Sequence, residues 1–157
     1  MLNNKAPLFG LHHVAISTPD LKRSVQFYTS VLGARLEREG GWVRGNRAMD
    51  QRFRLTDCAA KICLLNIQGH FLEIFQFDHV EDTAMRPEAW RPGFTHFALQ
   101  VEDCRKTYEE LSVLGVDFVA EPLTMPSGAS FFYARDPDGN IIEFLDVPEG
   151  ADFPSIL

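Results

Sequence analysis

The feature that most constrains this chain is that it repeats itself. The segment HHVAISTPDLKRSVQFYTSVLGARL, starting at His12, aligns with THFALQVEDCRKTYEELSVLGVDFV, starting at Thr95. His13 falls on His96, Ala15 on Ala98 and Asp20 on Asp103. After a one-residue gap, Val31-Leu32-Gly33 meets Val113-Leu114-Gly115. Further along, Gly69-His70-Phe71-Leu72-Glu73 matches Gly139-Asn140-Ile141-Ile142-Glu143. Chance could supply one such match but hardly the ordered set. A chain of 157 residues is long enough for one buried domain, or for two half-size units that share a core.

Each half reads as strand, helix, then several strands. The first strand covers roughly residues 11–18, alternating and β-branched, and its counterpart covers 94–101. Asp20 and Asp103 are candidate helix N-caps or first-turn acids, where a carboxylate meets free backbone N–H groups. Leu21, Val25, Tyr28 and Leu32 then share one helical stripe, as do Cys104, Tyr108, Leu111 and Leu114. Gly33 and Gly115 stand where a left-handed C-cap favours a residue without a Cβ. Extended runs follow at 62–67 and 71–77, and again at 118–120, 130–134 and 141–145. Asp136-Pro137-Asp138-Gly139 marks a turn between the last two. The expected fold class is α+β: tandem βαβββ modules forming a curved mixed sheet, helices outside. Module one spans about 11–77, a linker about 78–92 and module two about 93–147, with a tail at 148–157, all in one domain. The segment 40–57 breaks the symmetry, being longer than its counterpart in the second half, and carries Trp42, Arg44, Arg47, Arg52 and Arg54. The linker holds Arg86, Trp90 and Arg91.

Four polar residues interrupt these apolar strands. Successive strand side chains face opposite ways, so Val14 and Ile16 share one face while His13, Ala15 and Ser17 share the other. Phe97, Leu99 and Val101 likewise oppose His96, Ala98 and Gln100. Each histidine therefore lies among small neighbours, with room for a ligand. Glu73 sits inside Phe71-Leu72-Glu73-Ile74-Phe75, and Glu143 inside Ile141-Ile142-Glu143-Phe144-Leu145. A lone carboxylate in such company costs several kcal/mol to desolvate unless a cation or hydrogen bonds compensate. One divalent ion would compensate both, with two imidazoles completing its ligand set. Two nitrogens and two oxygens suit Zn, Ni, Co, Mn or Fe, with positions left for water or substrate. Taken singly, each residue is more often structural than a ligand; their recurrence as repeat-equivalent pairs carries the metal reading.

On these residues the chain resembles the vicinal oxygen chelate superfamily, which contains glyoxalase I, methylmalonyl-CoA epimerase, extradiol dioxygenases and fosfomycin or bleomycin resistance proteins. The resemblance runs from Leu11 to about Val147, through LHHVAISTPDLKRSVQFYTSVLGARL, FLEIF, FTHFALQVEDC and ARDPDGNIIEFLD, the last being the most specific. It implies paired modules in a U-shaped sheet around the metal, often assembled as dimers. His13, Glu73, His96 and Glu143 take the four ligand positions of the glyoxalase and epimerase branch. It further implies that a chelated substrate is held as an enediolate-like species while a carboxylate moves the proton α to its carbonyl. Glu143 is the expected base and Glu73 the second candidate. A fourth ligand, the second carboxylate Glu73, favours this lyase or isomerase chemistry over oxygen activation. The alternatives are an Fe(II) extradiol-type dioxygenase using His13, His96 and Glu143, and a non-catalytic module that binds a small molecule or drug. No equivalent of the glutathione-binding residues of glyoxalase I is found, and the epimerases usually carry Gln where this chain has Glu73.

Composition narrows the partners. A net charge of -7 disfavours nucleic acid, which needs a basic face. No run could span a bilayer, and MLNNKAPLFG lacks a signal-peptide core, so a cytoplasmic location is expected. Cys58, Cys63 and Cys104 show no C-x-x-C spacing and are expected to be reduced. The expected partners are a second copy of the chain and a small-molecule substrate. The substrate is anionic if Arg44, Arg47, Arg52 or Arg54 receives it. Trp42 and Trp90 could wall a pocket or simply pack. His12 is expected to point away from His13, and His70 and His79 are assigned nothing.

Overall fold

The computed structural model describes residues 9–78 and 88–156. His79, Arg86 and most of the linker therefore lie outside the described residues, as do the first eight residues and Leu157. The elements are β1 (His13–Ser17), α1 (Leu21–Ser30), β2 (Arg35–Trp42), α2 (Arg47–Phe53), β3 (Ala60–Ile67) and β4 (His70–Phe77). They continue with β5 (His96–Val101), α3 (Cys104–Val113), β6 (Asp117–Phe118), β7 (Leu123–Thr124), β8 (Ser130–Arg135) and β9 (Ile141–Asp146). The fold is α+β, as the repeat implies.

The strands form two mixed sheets, one from each repeat. The first is ordered β1-β4-β3-β2; the second is ordered β5-β9-β8-β6, with β7 also paired to β8. In each sheet the strand before the helix lies parallel to the last strand of its repeat, and all other pairs are antiparallel. The registers correspond too, with Ala15 opposite Glu73 and Ala98 opposite Glu143. The repeat is thus one of pairing as well as of sequence.

Local signals behave as their chemistry requires. Asp103 caps α3, its carboxylate accepting from the Lys106 N–H at 3.0 Å. Gly33 and Gly115 hold φ of 68° and 72°, the left-handed region that a side chain with a Cβ resists. The first N–H of α1, at Leu21, is met by Gln76 Oε1 at 3.3 Å. The extended run expected at 118–120 shrinks to two residues, and the segment 40–57 contains α2. Asn46 caps that helix and Arg54 closes it at φ 54°.

The described residues gather into two compact units. The first holds β1–β4 and α2; the second holds α1 from Lys22 onward together with β5–β9 and α3. In the first unit Ile16, Cys63, Leu65, Leu72 and Ile74 are buried and share one sheet face. In the second, Phe132, Ala134, Ile142 and Phe144 are buried beneath α3, which contributes Cys104 and Leu111. Helix α1 belongs by sequence to the first repeat, yet its polar anchors lie in the second unit. Tyr28 donates to the buried Asp136 at 2.8 Å, Ser24 donates to Asp138 at 2.8 Å, and Arg23 pairs with Asp138. The Asp136–Gly139 turn is thus both a hairpin turn and a helix anchor. The three cysteines are free and buried. Among the described residues no helix is long and apolar enough to cross a membrane.

Candidate metal centre

The four candidate ligands come together as two pairs, one on each sheet. In the first unit His13 Nε2 stands 3.4 Å from Glu73 Oε2; in the second His96 Nε2 stands 3.0 Å from Glu143 Oε2. The parallel ladder explains this, since each histidine starts its strand and each glutamate lies across from the alanine two residues later. Both alanines are exposed, so the faces around the pairs are open. The carboxylates are less buried than their apolar sequence neighbours suggest, at 24% and 16% side-chain exposure for Glu73 and Glu143. Among the described residues, no group of three or more His, Cys, Asp or Glu side chains is gathered closely enough to hold an ion.

Each imidazole is also held from behind. Thr95 Oγ1 lies 3.1 Å from His96 Nδ1, and His12 Nδ1 lies 2.8 Å from His13 Nδ1. His12 and Thr95 are repeat equivalents, and both leave Nε2 facing the carboxylate. This arrangement is how ligating histidines are commonly fixed in tautomer and ring orientation. His12 therefore does not point away from His13. It precedes β1, so strand alternation does not govern it, and its ring stacks on Phe71 at 5.3 Å instead.

Each pair by itself has the donor types and spacing that a divalent ion takes from two ligands. Two donors that share an ion at about 2.1 Å, at right angles, stand about 3 Å apart. Both pairs are close to that separation, and both present one nitrogen and one oxygen.

The surroundings add residues that sequence patterns had not singled out. Tyr133 lies directly opposite Glu143 across the β8–β9 hairpin, its ring 5.2 Å from that of His96. Burial and the adjacent Glu143 carboxylate push its phenol up, so it stays protonated at neutral pH. Counting outward from the Asp136–Gly139 turn would have found it. In the first unit, the face that carries Glu73 continues through Phe75 to Phe77. There Phe53 from α2 and Trp42 complete an aromatic cluster, Trp42 stacking on Phe53 at 5.2 Å. Trp42 is 9% exposed and donates to the Cys58 carbonyl at 3.1 Å, so it packs rather than standing free. Trp90 is exposed, with the Arg91 guanidinium 5.1 Å from its ring. Arg44 is tied to Asp78 at 2.5 Å and to the Asp57 carbonyl at 2.9 Å, while Arg52 donates to Ala48 O within its own helix. Arg47 and Arg54 are exposed. An open groove of about 650 Å³ runs between residues 40–43, 59–61 and 76–78, and none of the four candidate ligands lines it.

The sequence profile of the Glyoxalase/Bleomycin resistance protein/Dioxygenase superfamily matches residues 10–144. The chain belongs to this superfamily. Among its relatives is a 2-epi-5-epi-valiolone epimerase from an Actinomyces species, 28% identical over 155 residues, covering 91% of this chain and 82% of the relative. A lactoylglutathione lyase from Neisseria meningitidis is 28% identical over 149 residues, covering 90% and 94%. The solved structure of a glyoxalase family protein from Bacillus cereus superposes with a TM-score of 0.77 at 21% identity, covering 93% of this chain and 97% of that one. That likeness establishes the fold of this superfamily member.

Proposed function

We propose that this superfamily member is a metal-dependent lyase or isomerase acting on a small molecule, with His13, Glu73, His96 and Glu143 as the donors to one divalent ion. The single observation that carries the reading is the duplicated His–Glu pair. The same two residue types stand at the same register in both sheets, 3.4 and 3.0 Å apart, each imidazole held at Nδ1 from the preceding position. Relatives named as an epimerase and as lactoylglutathione lyases support the reaction class. The ion, of the Zn, Ni, Co, Mn or Fe kind, would supply Lewis-acid polarisation of a carbonyl in a substrate bearing two neighbouring oxygens.

The chain's own residues do the rest. Glu143 takes the proton α to the carbonyl and returns it, with Tyr133 protonated beside it; Glu73 is the second candidate for that role. The open faces around Ala15 and Ala98 give the substrate access. The reading also takes the protein to be cytoplasmic and homodimeric. In support of a partner copy, the repeat-equivalent Leu11 and Phe94 are both exposed apolar side chains.

The test is elemental analysis after reconstitution, followed by turnover on thiohemiacetals, acyl-CoA thioesters and 2-oxo compounds. One ion per chain is expected, whether the donors come from one chain or two. Glu143→Gln is expected to keep substantial metal and lose turnover. Undiminished turnover in that variant rejects the mechanism, and protein that takes up no stoichiometric ion is a binding module instead. Oxygen uptake with catechols would replace proton transfer with dioxygenase chemistry.

A further inference from the structure

The β2–β3 ladder slips by one residue beside the first His–Glu pair. Leu36 pairs with Leu65, but Arg38 pairs with Leu64, so Glu37 is the extra residue of a β-bulge. Bulges re-aim side chains, and they concentrate next to active sites. The consequence here is specific. In an unbroken ladder Arg38 would pair with Cys63, whose neighbours Leu65, Leu72 and Ile74 form the buried face. The slip turns Arg38 onto the opposite face, in the cross-strand row that continues through Leu64 and Glu73 to Ala15.

Among the described residues, Arg38 reaches that face without a counter-charge. Its neighbour Glu37 is already engaged, accepting from Asn66 Nδ2 at 3.0 Å and pairing with Arg35, which holds its carboxyl below the ordinary range. Glu39 pairs with Cys63 on the other face, with 4.0 Å between sulfur and carboxylate. Among the described residues no carboxylate pairs with Arg38, and the side chain is exposed. The next position on the same face is Gly40, which puts no side chain in the way. Two strand spacings separate Arg38 from Glu73, about 10 Å between their backbones. An exposed guanidinium without a counter-charge, aimed by a bulge along the row of a candidate ligand, suits a planar anion at a short remove from that ligand.

We propose that Arg38 is a specificity-determining residue: it receives a carboxylate or phosphate carried by the substrate a few atoms from the two oxygens that meet the ion at His13 and Glu73. This deepens the function proposed above and rests on it. It also moves the anion site away from the arginines of the 40–57 segment, of which Arg44 and Arg52 are spent on local structure.

Hydroxamates serve as probes because they chelate through two neighbouring oxygens and can carry or lack a second charge. Cobalt-loaded protein is titrated with acetohydroxamate, with succinohydroxamate, which bears a tail carboxylate, and with 3-phosphonopropionohydroxamate, followed by the visible cobalt spectrum. The unaltered protein is expected to bind one of the two anionic probes about five- to tenfold more tightly than acetohydroxamate. Which one it prefers tells carboxylate from phosphate. Arg38→Gln is expected to erase that preference and leave acetohydroxamate affinity unchanged, while Arg52→Gln changes neither. Equal affinities for all three probes in the unaltered protein, or a preference that survives in Arg38→Gln, overturns the role of Arg38 alone. Failure to take up cobalt, or a cobalt spectrum that acetohydroxamate does not perturb, overturns the metal reading and this inference with it.

Discussion

The two sheets carry the same His–Glu pair in the same register and surround it differently. In the first, the row through Glu73 runs Ala15, Glu73, Leu64, Arg38; in the second, the row through Glu143 runs Ala98, Glu143, Tyr133 and, just past β6, Val119. A leucine and an arginine on one side thus correspond to a phenol and an exposed valine on the other. Beyond the first pair the face ends in the aromatic cluster under α2. Beyond the second it ends at Gln100, which holds the C-terminal segment through Ser155 Oγ at 2.8 Å and the Ile156 N–H at 2.9 Å. The repeat keeps the His–Glu pair and varies what surrounds it. One half offers charge and apolar surface for recognition, and the other offers a proton-bearing side chain beside a carboxylate. On the proposed function this amounts to a division of labour, with the second pair moving the proton and the first gripping the substrate.

The largest effect should come from exchanging the two carboxylates for amides. Glu143→Gln is expected to lower proton exchange at the substrate's α-carbon by about a thousandfold, the scale of a lost general base. Glu73→Gln should cost less in turnover and more in metal affinity. Deuterium incorporation from heavy water, read by NMR alongside metal content, measures both. Equal losses of exchange in the two variants would break the asymmetry.

Next in size is the support behind each imidazole. His12→Ala removes the group that holds His13 Nδ1 and is expected to weaken metal binding by about tenfold, within the range for such supporting contacts. His12→Thr imports the residue found at the repeat-equivalent position and should restore most of the loss. If alanine and threonine behave alike in a metal competition titration, His12 matters for its stacking on Phe71 and not for its hydrogen bond.

These positions also separate what the sequence could reveal from what it could not. The four candidate donors and the tandem modules were legible because strand alternation and internal repetition are local, countable properties. The helical stripe of α1 was equally legible, but a stripe says that a face is buried and not what buries it. That α1 is anchored by the Asp136–Gly139 turn depends on contacts over more than a hundred residues. The bulge at Glu37 was hidden because it exists only relative to β3. Helix α2 left a faint trace, an asparagine cap followed by Met49 and Phe53 four residues apart, too short for periodicity to register.

The anchoring of α1 makes a third prediction. Tyr28 stands in the stripe where α3 has Leu111, and its hydroxyl donates to an Asp136 that is only 4% exposed. Removing that hydroxyl with Tyr28→Phe should cost about 1–2 kcal/mol in chemical denaturation, because a buried acceptor loses a partner. Tyr108→Phe should cost less, since Tyr108 packs its ring on Phe118 at 4.3 Å. A larger loss at Tyr108 would mean that the helices are held in the same way after all.

The smallest effect belongs to the helix that only the first sheet has. Asp50 accepts from the Asp57 and Cys58 N–H groups, each at 3.0 Å, fastening α2 to the start of β3. Those bonds, the one from Cys58 foremost, hold its carboxyl below the usual aspartate range. The native state therefore binds this proton less readily than the unfolded chain does. The stabilisation is present above the ordinary carboxylate range and is lost as pH falls through the depressed native value. Because Phe53 of α2 stacks on Trp42, release of the helix should change Trp42 fluorescence in acid before the second unit responds. In a Trp90→Phe background, which leaves Trp42 as the only tryptophan, an acid titration should show an early step that Asp50→Asn abolishes. The aromatic packing around Phe132 and Phe144, followed by NMR, should stay unchanged through that step. A fluorescence profile identical with and without Asp50 would show that the first sheet keeps its aromatic end without this clasp.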